Sequence, residues 1–175
     1  MRTWIALLRA INLGSHNKIP MADLRAVVAS LGYRGVRTYI ASGNVLFRAD
    51  GDEAGIARAL ADAVAARWGL DVPVVVRDRA GLERARDAHP YTDGDEKIRA
   101  VMFLDGAPTG AESLDSKRSP PDEFQLIGRE VHMICPNTFA ETKLSVDYFE
   151  RRLGCKATTR NWRTLCKLIE LAGQA

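Results

Sequence analysis

One pattern runs twice through the chain: an amphipathic helix, a glycine, a short β-rich run and a second helix. The first copy is 56–68, Gly69, 72–77 and 82–88. The second is 143–153, Gly154, 156–159 and 161–171. The copies share order, not residue identities. Each helix has one apolar stripe and needs a sheet to bury it. A chain that repeats this unit folds as two similar halves, and the pattern reads as an internal duplication.

The first half completes the unit. Residues 3–9 (TWIALLR) are a short apolar run, the signal of a buried strand. Met21, Leu24, Val27, Val28 and Leu31 recur at helical spacing, and Gly32 supplies the stop. Two β-rich runs, 36–40 and 45–48, flank Ala41-Ser42-Gly43-Asn44, which is a hairpin signal. Ile56, Leu60, Val64 and Trp68 line one helix face. Pro73 assigns the fourth strand to a sheet edge, because proline cannot donate to a central ladder. The order is βαββαβ, the ferredoxin-like unit.

The second half follows more loosely. It shows a strand at 100–104, a weak helix near 109–114 and a loop over 115–123. A hairpin turns at Gly128, and a helix carries Leu144, Tyr148, Phe149 and Leu153. The expected fold class is α+β: two tandem ferredoxin-like βαββαβ halves, 1–78 and 79–175, with a C-terminal helix.

Composition excludes several classes. The chain has 175 residues, 46% hydrophobic and 27% charged, which is globular rather than disordered. Its formal net charge of +3 permits an anionic partner without requiring one. Three cysteines, Cys135, Cys155 and Cys166, are too few and too scattered for a disulfide framework or a zinc site. The apolar start is too short for a signal peptide or a membrane span. These features predict a cytoplasmic protein with no membrane attachment, metal or cofactor. No glycine-rich phosphate loop, nucleophile elbow or zinc-protease motif is present, so no catalytic residue is assigned. His16, His89 and His132 have no partner at catalytic or metal spacing. Strand alternation puts His132 on the surface. Asp93, Asp95 and Glu96 read as a solvated loop.

Two polar segments remain. In a βαββαβ unit the loop after the first strand and the turn between the second and third reach the same sheet edge. That brings Arg9, Asn12, Gly14, His16, Asn17 and Lys18 to Ser42, Gly43 and Asn44. Neither segment holds a carboxylate. Amide, hydroxyl and cationic donors there, with the N-terminus of the next helix, suit an anion. The alternative is that Asn and Ser satisfy loop backbone. The second segment, 151–168, carries Arg151, Arg152, Lys156, Arg160, Arg163 and Lys167 and no acid. Thr159 or Asn161 is placed to cap the helix that follows. Arg160, near a helix N-terminus, opposes the macrodipole unless an anion answers it. A solvated basic face over a core Trp162 explains it equally.

LLRAINLGSHNKIPMADLRAVVASLGYRGVRTYIASGNVLF resembles the opening signature of a bacterial family known as domain of unknown function 1697, and LGCKATTRNWRTLCKL resembles its closing signature. The family usually has Gly where this chain has Ala10 and Ser15. The resemblance brings no activity, substrate or cofactor. It implies that Arg9, Asn12, Gly14, Asn17, Lys18, Ser42, Gly43, Asn44, Lys143, Thr158, Thr159, Arg160, Asn161 and Trp162 fall in signature positions.

Three functions fit. The first is a binding module for nucleic acid or a nucleotide-like, phosphate-bearing anion. Trp4 and Phe47, on the central strand pair, would then be available to stack bases, although the RNA-recognition aromatic motif is absent. The second is an enzyme acting on a small phosphorylated or carboxylated substrate where the halves meet. The third is a structural or interaction protein. The ligand candidates are Arg9, Asn12, Asn17, Lys18, Ser42, Asn44, Lys143, Thr158, Thr159, Arg160, Asn161 and Trp162. Oligomeric state stays open.

Overall fold

The computed structural model describes residues 1–174. The described residues form two compact units, Met1–Glu83 with the stretch from Lys167 onward, and Arg84–Cys166. Each unit contains one four-stranded antiparallel sheet.

The first unit runs β1 (Arg2–Leu8), α1 (Met21–Ser30), β2 (Arg34–Tyr39), β3 (Asn44–Ala49), α2 (Glu53–Trp68) and β4 (Val74–Asp78). Its strand order is β2-β3-β1-β4, the ferredoxin-like arrangement. β4 lies at the edge, and Pro73 sits just before it. Alternate residues of β1 (Trp4, Ala6, Leu8) join Val45 and Phe47 of β3 beneath Leu24 and Val28 of α1 and Ile56, Leu60 and Val64 of α2. Asp52 starts α2 by accepting the Gly55 amide at 2.7 Å. This core changes one expectation. Trp4 and Phe47 are buried under the helices, Trp4 donating from Nε1 to the Ala49 carbonyl at 3.3 Å and Phe47 stacked on Tyr33. The helices lie on that sheet face, so neither ring is open to a base.

The second unit runs β5 (Arg99–Leu104), β6 (Glu123–Ile127), β7 (Glu130–Ile134), α4 (Val146–Leu153) and β8 (Ala157–Asn161). Its order, β6-β7-β5-β8, repeats that of the first sheet. One 3₁₀ turn, Ala111–Ser113, stands where the first unit has α1. Ala100, Met102, Leu104, Val131 and Met133 pack with Tyr148, Phe149 and Leu153 of α4. His132 lies between Val131 and Met133 and faces the other way, yet it is only 1% exposed. The surface position expected for it does not hold, because the second face of this sheet is buried over β5 and the middle of β7.

Two further helices, α3 (Arg79–Asp87) and α5 (Trp162–Ala172), follow β4 and β8. Here the duplication is sharpest. Gly69 and Gly154 end α2 and α4 in the left-handed conformation at φ 67°. Arg77 pairs with Ile5 in register, and Arg160 with Val101. Each guanidinium donates from Nη1 to the preceding carbonyl at 2.9 Å, Val76 and Thr159 respectively. The next residue caps the helix: Asp78 accepts the Gly81 amide and Asn161 the Thr164 amide, both at 2.8 Å. Of the two cap residues foreseen for α5, Asn161 is the one used.

Gly43 is the tightest point of the first sheet. Its φ is 87°, and a Cβ there would lie 2.8 Å from Leu8 Cβ and 2.9 Å from Ile11 Cδ1. Both the left-handed backbone and the overlap with buried side chains penalise any larger residue. Gly43→Ala is expected to lower stability by roughly 2–4 kcal/mol in urea titration. A loss below 1 kcal/mol would show that the turn relaxes freely.

Candidate functional site: the loop edge of the first unit

The segment after β1 and the β2–β3 turn are tied together at one sheet edge. The Leu8 amide donates to the Gly43 carbonyl at 2.8 Å, and the Arg9 amide to the Pro73 carbonyl at 3.0 Å. Asn12 is the bridge. Its Nδ2 donates to the Ala41 carbonyl at 2.8 Å and the Ile19 carbonyl at 3.0 Å, while its Oδ1 accepts the Ile19 amide at 2.8 Å. Asn17 donates from Nδ2 to the Ala10 carbonyl at 3.2 Å, and Asn44 donates to the Tyr39 carbonyl and Ser42 Oγ, both at 3.0 Å.

These bonds hold an unusual backbone. Ala10, Asn12, Asn17 and Ile40 all have φ between 49° and 54°. Asparagine tolerates this region; alanine and above all β-branched isoleucine do not. Ala10, one of the two positions where the sequence resemblance leads one to expect glycine, is one of the four. Asn12, Asn17, Ser42 and Asn44 therefore build the edge from within. His16 and Lys18 are exposed on it, and Arg9 stands half-buried at its base. Leu13 and Ile40, adjacent to the two residues joined by the Asn12–Ala41 bond, are 61% and 51% exposed. α1 begins after Pro20 with no side-chain cap on its first amides.

The C-terminal candidates lie in the second unit. Arg160 is a β8 residue rather than a helix residue. It is buried, donates to Thr158 Oγ1 at 2.7 Å as well as to Thr159 O, and burial lowers it to about 10, so it stays charged at neutral pH. Trp162 packs edge-on to His89 and lies 4.8 Å from the Arg99 guanidinium carbon. Lys143 is elsewhere: its amide donates to Ser119 Oγ at 3.0 Å and its carbonyl accepts from Arg118 at 2.9 Å.

A polar groove of about 600 Å³ in the second unit was not foreseen. Asp105, Asp147, Glu150, Arg151, Cys155 and Lys156 line it. It lies at the edge equivalent to that of the first unit. There the Leu104 amide donates to Arg129 O and the Asp105 amide to Lys156 O, both at 2.9 Å, repeating the Leu8 and Arg9 bonds. The position of Arg9 is taken by Asp105, which accepts the Lys156 amide at 2.9 Å. The signal for it was the alignment of Gly154 with Gly69, which equates the chain segments but not their charges. Burial, then Asp105 and Glu150, raise the Cys155 thiol, which opposes a nucleophilic thiolate. Cys135 is pushed to about 11, mainly by burial. Among the described residues no group of three or more His, Cys, Asp or Glu is arranged to hold a metal ion, and no helix is long and apolar enough to cross a membrane.

Two ferredoxin-like units, with a strained, asparagine-braced edge on the first, define the class of protein. Within that class the chain belongs to the family described as Protein of unknown function (DUF1697), which matches residues 1–132. The loop edge lies inside that stretch; Lys143 and Thr158–Trp162 lie beyond it. The chain is also similar to a solved structure described as a conserved bacterial protein, SP0830, from Streptococcus pneumoniae. The TM-score is 0.72 at 22% identity, covering 97% of this chain and 98% of that one. This likeness shows the shared fold. No curated protein matches the chain.

Two substitutions at the edge should act in opposite directions. Asn12→Ala removes three hydrogen bonds and is expected to cost about 2–3 kcal/mol. Ala10→Gly relieves a left-handed alanine and should raise stability by about 0.5–1 kcal/mol. Denaturant midpoints for both variants check the pair. An Ala10→Gly variant less stable than the wild type would contradict the strain described for this loop.

Proposed function

We propose that the protein is a binding module for a phosphate-bearing anion, either a nucleotide or a strand of nucleic acid, held at the loop edge of the first unit. One observation carries the reading. The asparagines are spent on fixing the backbone, and the groups left facing outward on the two carboxylate-free segments include the cation Lys18, the imidazole of His16 and the apolar Leu13 and Ile40. A fixed frame presents these groups with the backbone part of the ordering cost already met. Cations answer phosphate, and Leu13 and Ile40 offer apolar contact to a sugar or base. Arg9 at the base of the loop and the uncapped start of α1 add positive potential.

The aromatic sheet face is not the contact surface in this reading, because Trp4 and Phe47 are buried. Recognition would run through phosphate and would be only weakly selective for base sequence.

Fluorescence polarisation with short labelled DNA and RNA strands, and competition by ATP and inorganic phosphate, tests the proposal. Affinity for strands should fall with salt at a log–log slope of about −0.7 per phosphate neutralised. Lys18→Glu, at an exposed site, should weaken binding about tenfold while leaving the melting temperature within about 2 °C. Competition by ATP alone would favour a nucleotide, and displacement by strands alone a nucleic acid. No binding by any of these probes, or binding indifferent to Lys18→Glu, would overturn it.

A further inference from the structure

The second face of the second sheet carries a buried histidine pair, remote in sequence from the loop edge. His132, in the middle of β7, is 1% exposed, and His89, in the segment after α3, is 4% exposed. Their rings meet edge to face, with centroids 5.0 Å apart and planes at 90°. His89 is fixed in a neutral form by its neighbours. Its Nε2 lies 3.2 Å from the Ala100 carbonyl and so must donate; its Nδ1 accepts the Tyr91 amide at 3.4 Å. A second proton on Nδ1 would point at an N–H. His132 Nδ1 is buried with no hydrogen-bond partner.

The surroundings offer little to a new positive charge. β5 contributes Arg99, whose charge bears on His89. β8 contributes Arg160 in the same cross-strand row as His132, through Val101. β6 contributes neutral Gln125 opposite His132, and Glu123, which acts on Tyr91. α5 contributes Trp162, set edge-on to His89 and beneath Arg99.

We propose that the His89–His132 pair is an acid-sensitive latch. When neutral it holds the segment after α3 and the first turn of α5 on the second sheet, and protonation releases them. Burial pushes His132 down to about 4, with His89 adding to the effect, and burial lowers His89 too. The sign follows. Both folded values lie below the ordinary 6.5, so the unfolded chain takes up protons first. Stability is fully present above pH 6.5 and falls as pH drops toward 4.

Urea denaturation of the full chain between pH 7.5 and 4.5 tests this, with amide protection at Tyr91 followed by NMR. The unfolding constant of the wild type should rise by up to about tenfold per pH unit for each histidine involved. His132→Phe should remove one histidine's share of that slope, whatever it does to stability at pH 7.5. His132→Gln serves if the Phe variant fails to fold. Tyr91 protection should fall below pH 5 in the wild type ahead of protection in α1. A wild-type slope unchanged in His132→Phe or His132→Gln, or Tyr91 protection that persists to pH 4.5, would refute the latch.

Discussion

Strands β1 and β5 are buried on both faces. Trp4 to Leu8 and Ala100 to Leu104 are each at most 2% exposed. A strand with no solvent face must sit inside its sheet and must have both sheet surfaces covered. In the first unit Trp4, Ala6 and Leu8 go under α1 and α2 while Ile5 and Leu7 fill the opposite face. In the second unit Ala100, Met102 and Leu104 go under α4, and Val101 and Phe103 face away. The remaining strands take their register from these two. The same requirement buries His132, which neighbours β5 on the second face, whereas Gln125 opposite it on the edge strand β6 stays exposed.

From those central strands the two units diverge at one edge. The amide bonds that leave β1 and β5 are matched, Leu8 with Leu104 and Arg9 with Asp105. Around the first, a long loop closes on itself through Asn12 and is forced through three left-handed non-glycine residues, Ala10, Asn12 and Asn17, with Ile40 of the β2–β3 turn a fourth beside it. Around the second, carboxylates accept the backbone amides of Lys156 and Ala157. One frame thus yields a loop and turn that hold no carboxylate in one copy and a groove lined by three carboxylates and two cations in the other. Each non-glycine left-handed residue costs on the order of 1 kcal/mol. Four on one loop edge are tolerated because hydrogen bonds from Asn12, Asn17 and Asn44 over-determine the chain path there.

Much of this was legible in the sequence. Continuous apolar runs gave β1 and β5, glycines after amphipathic helices gave the ends of α2 and α4, and Pro73 gave an edge strand. The meeting of the loop at Asn12 with the turn at Ala41 followed from topology alone. Side-chain direction did not. Alternation in β7 places His132 on one face, but only the covering of that face decides burial. Trp4 and Phe47 read as a possible stacking surface because strand position is visible in sequence and helix cover is not. Nor could spacing reveal that Asn12 and Asn17 hold positive φ, since the same residues in an ordinary loop look identical.

The repeated arginine shows how far the duplication reaches into energetics. Arg77 and Arg160 occupy the same register position and make the same bond to the preceding carbonyl, although the residues around them differ. Arg77 lies 3.8 Å from Glu53 at the start of α2, whereas Arg160 bonds to Thr158 on its own strand. A buried guanidinium without such bonds would be strongly unfavourable. Its recurrence therefore follows from the strand-to-helix turn, where an Asx cap on the next residue fixes the backbone and aims the arginine along the strand. Arg160 so placed is bonded along β8, to Thr158 and Thr159, which explains its position without an external anion. The ligand is proposed instead at the first unit's loop edge, where Lys18 is exposed on a segment that holds no carboxylate.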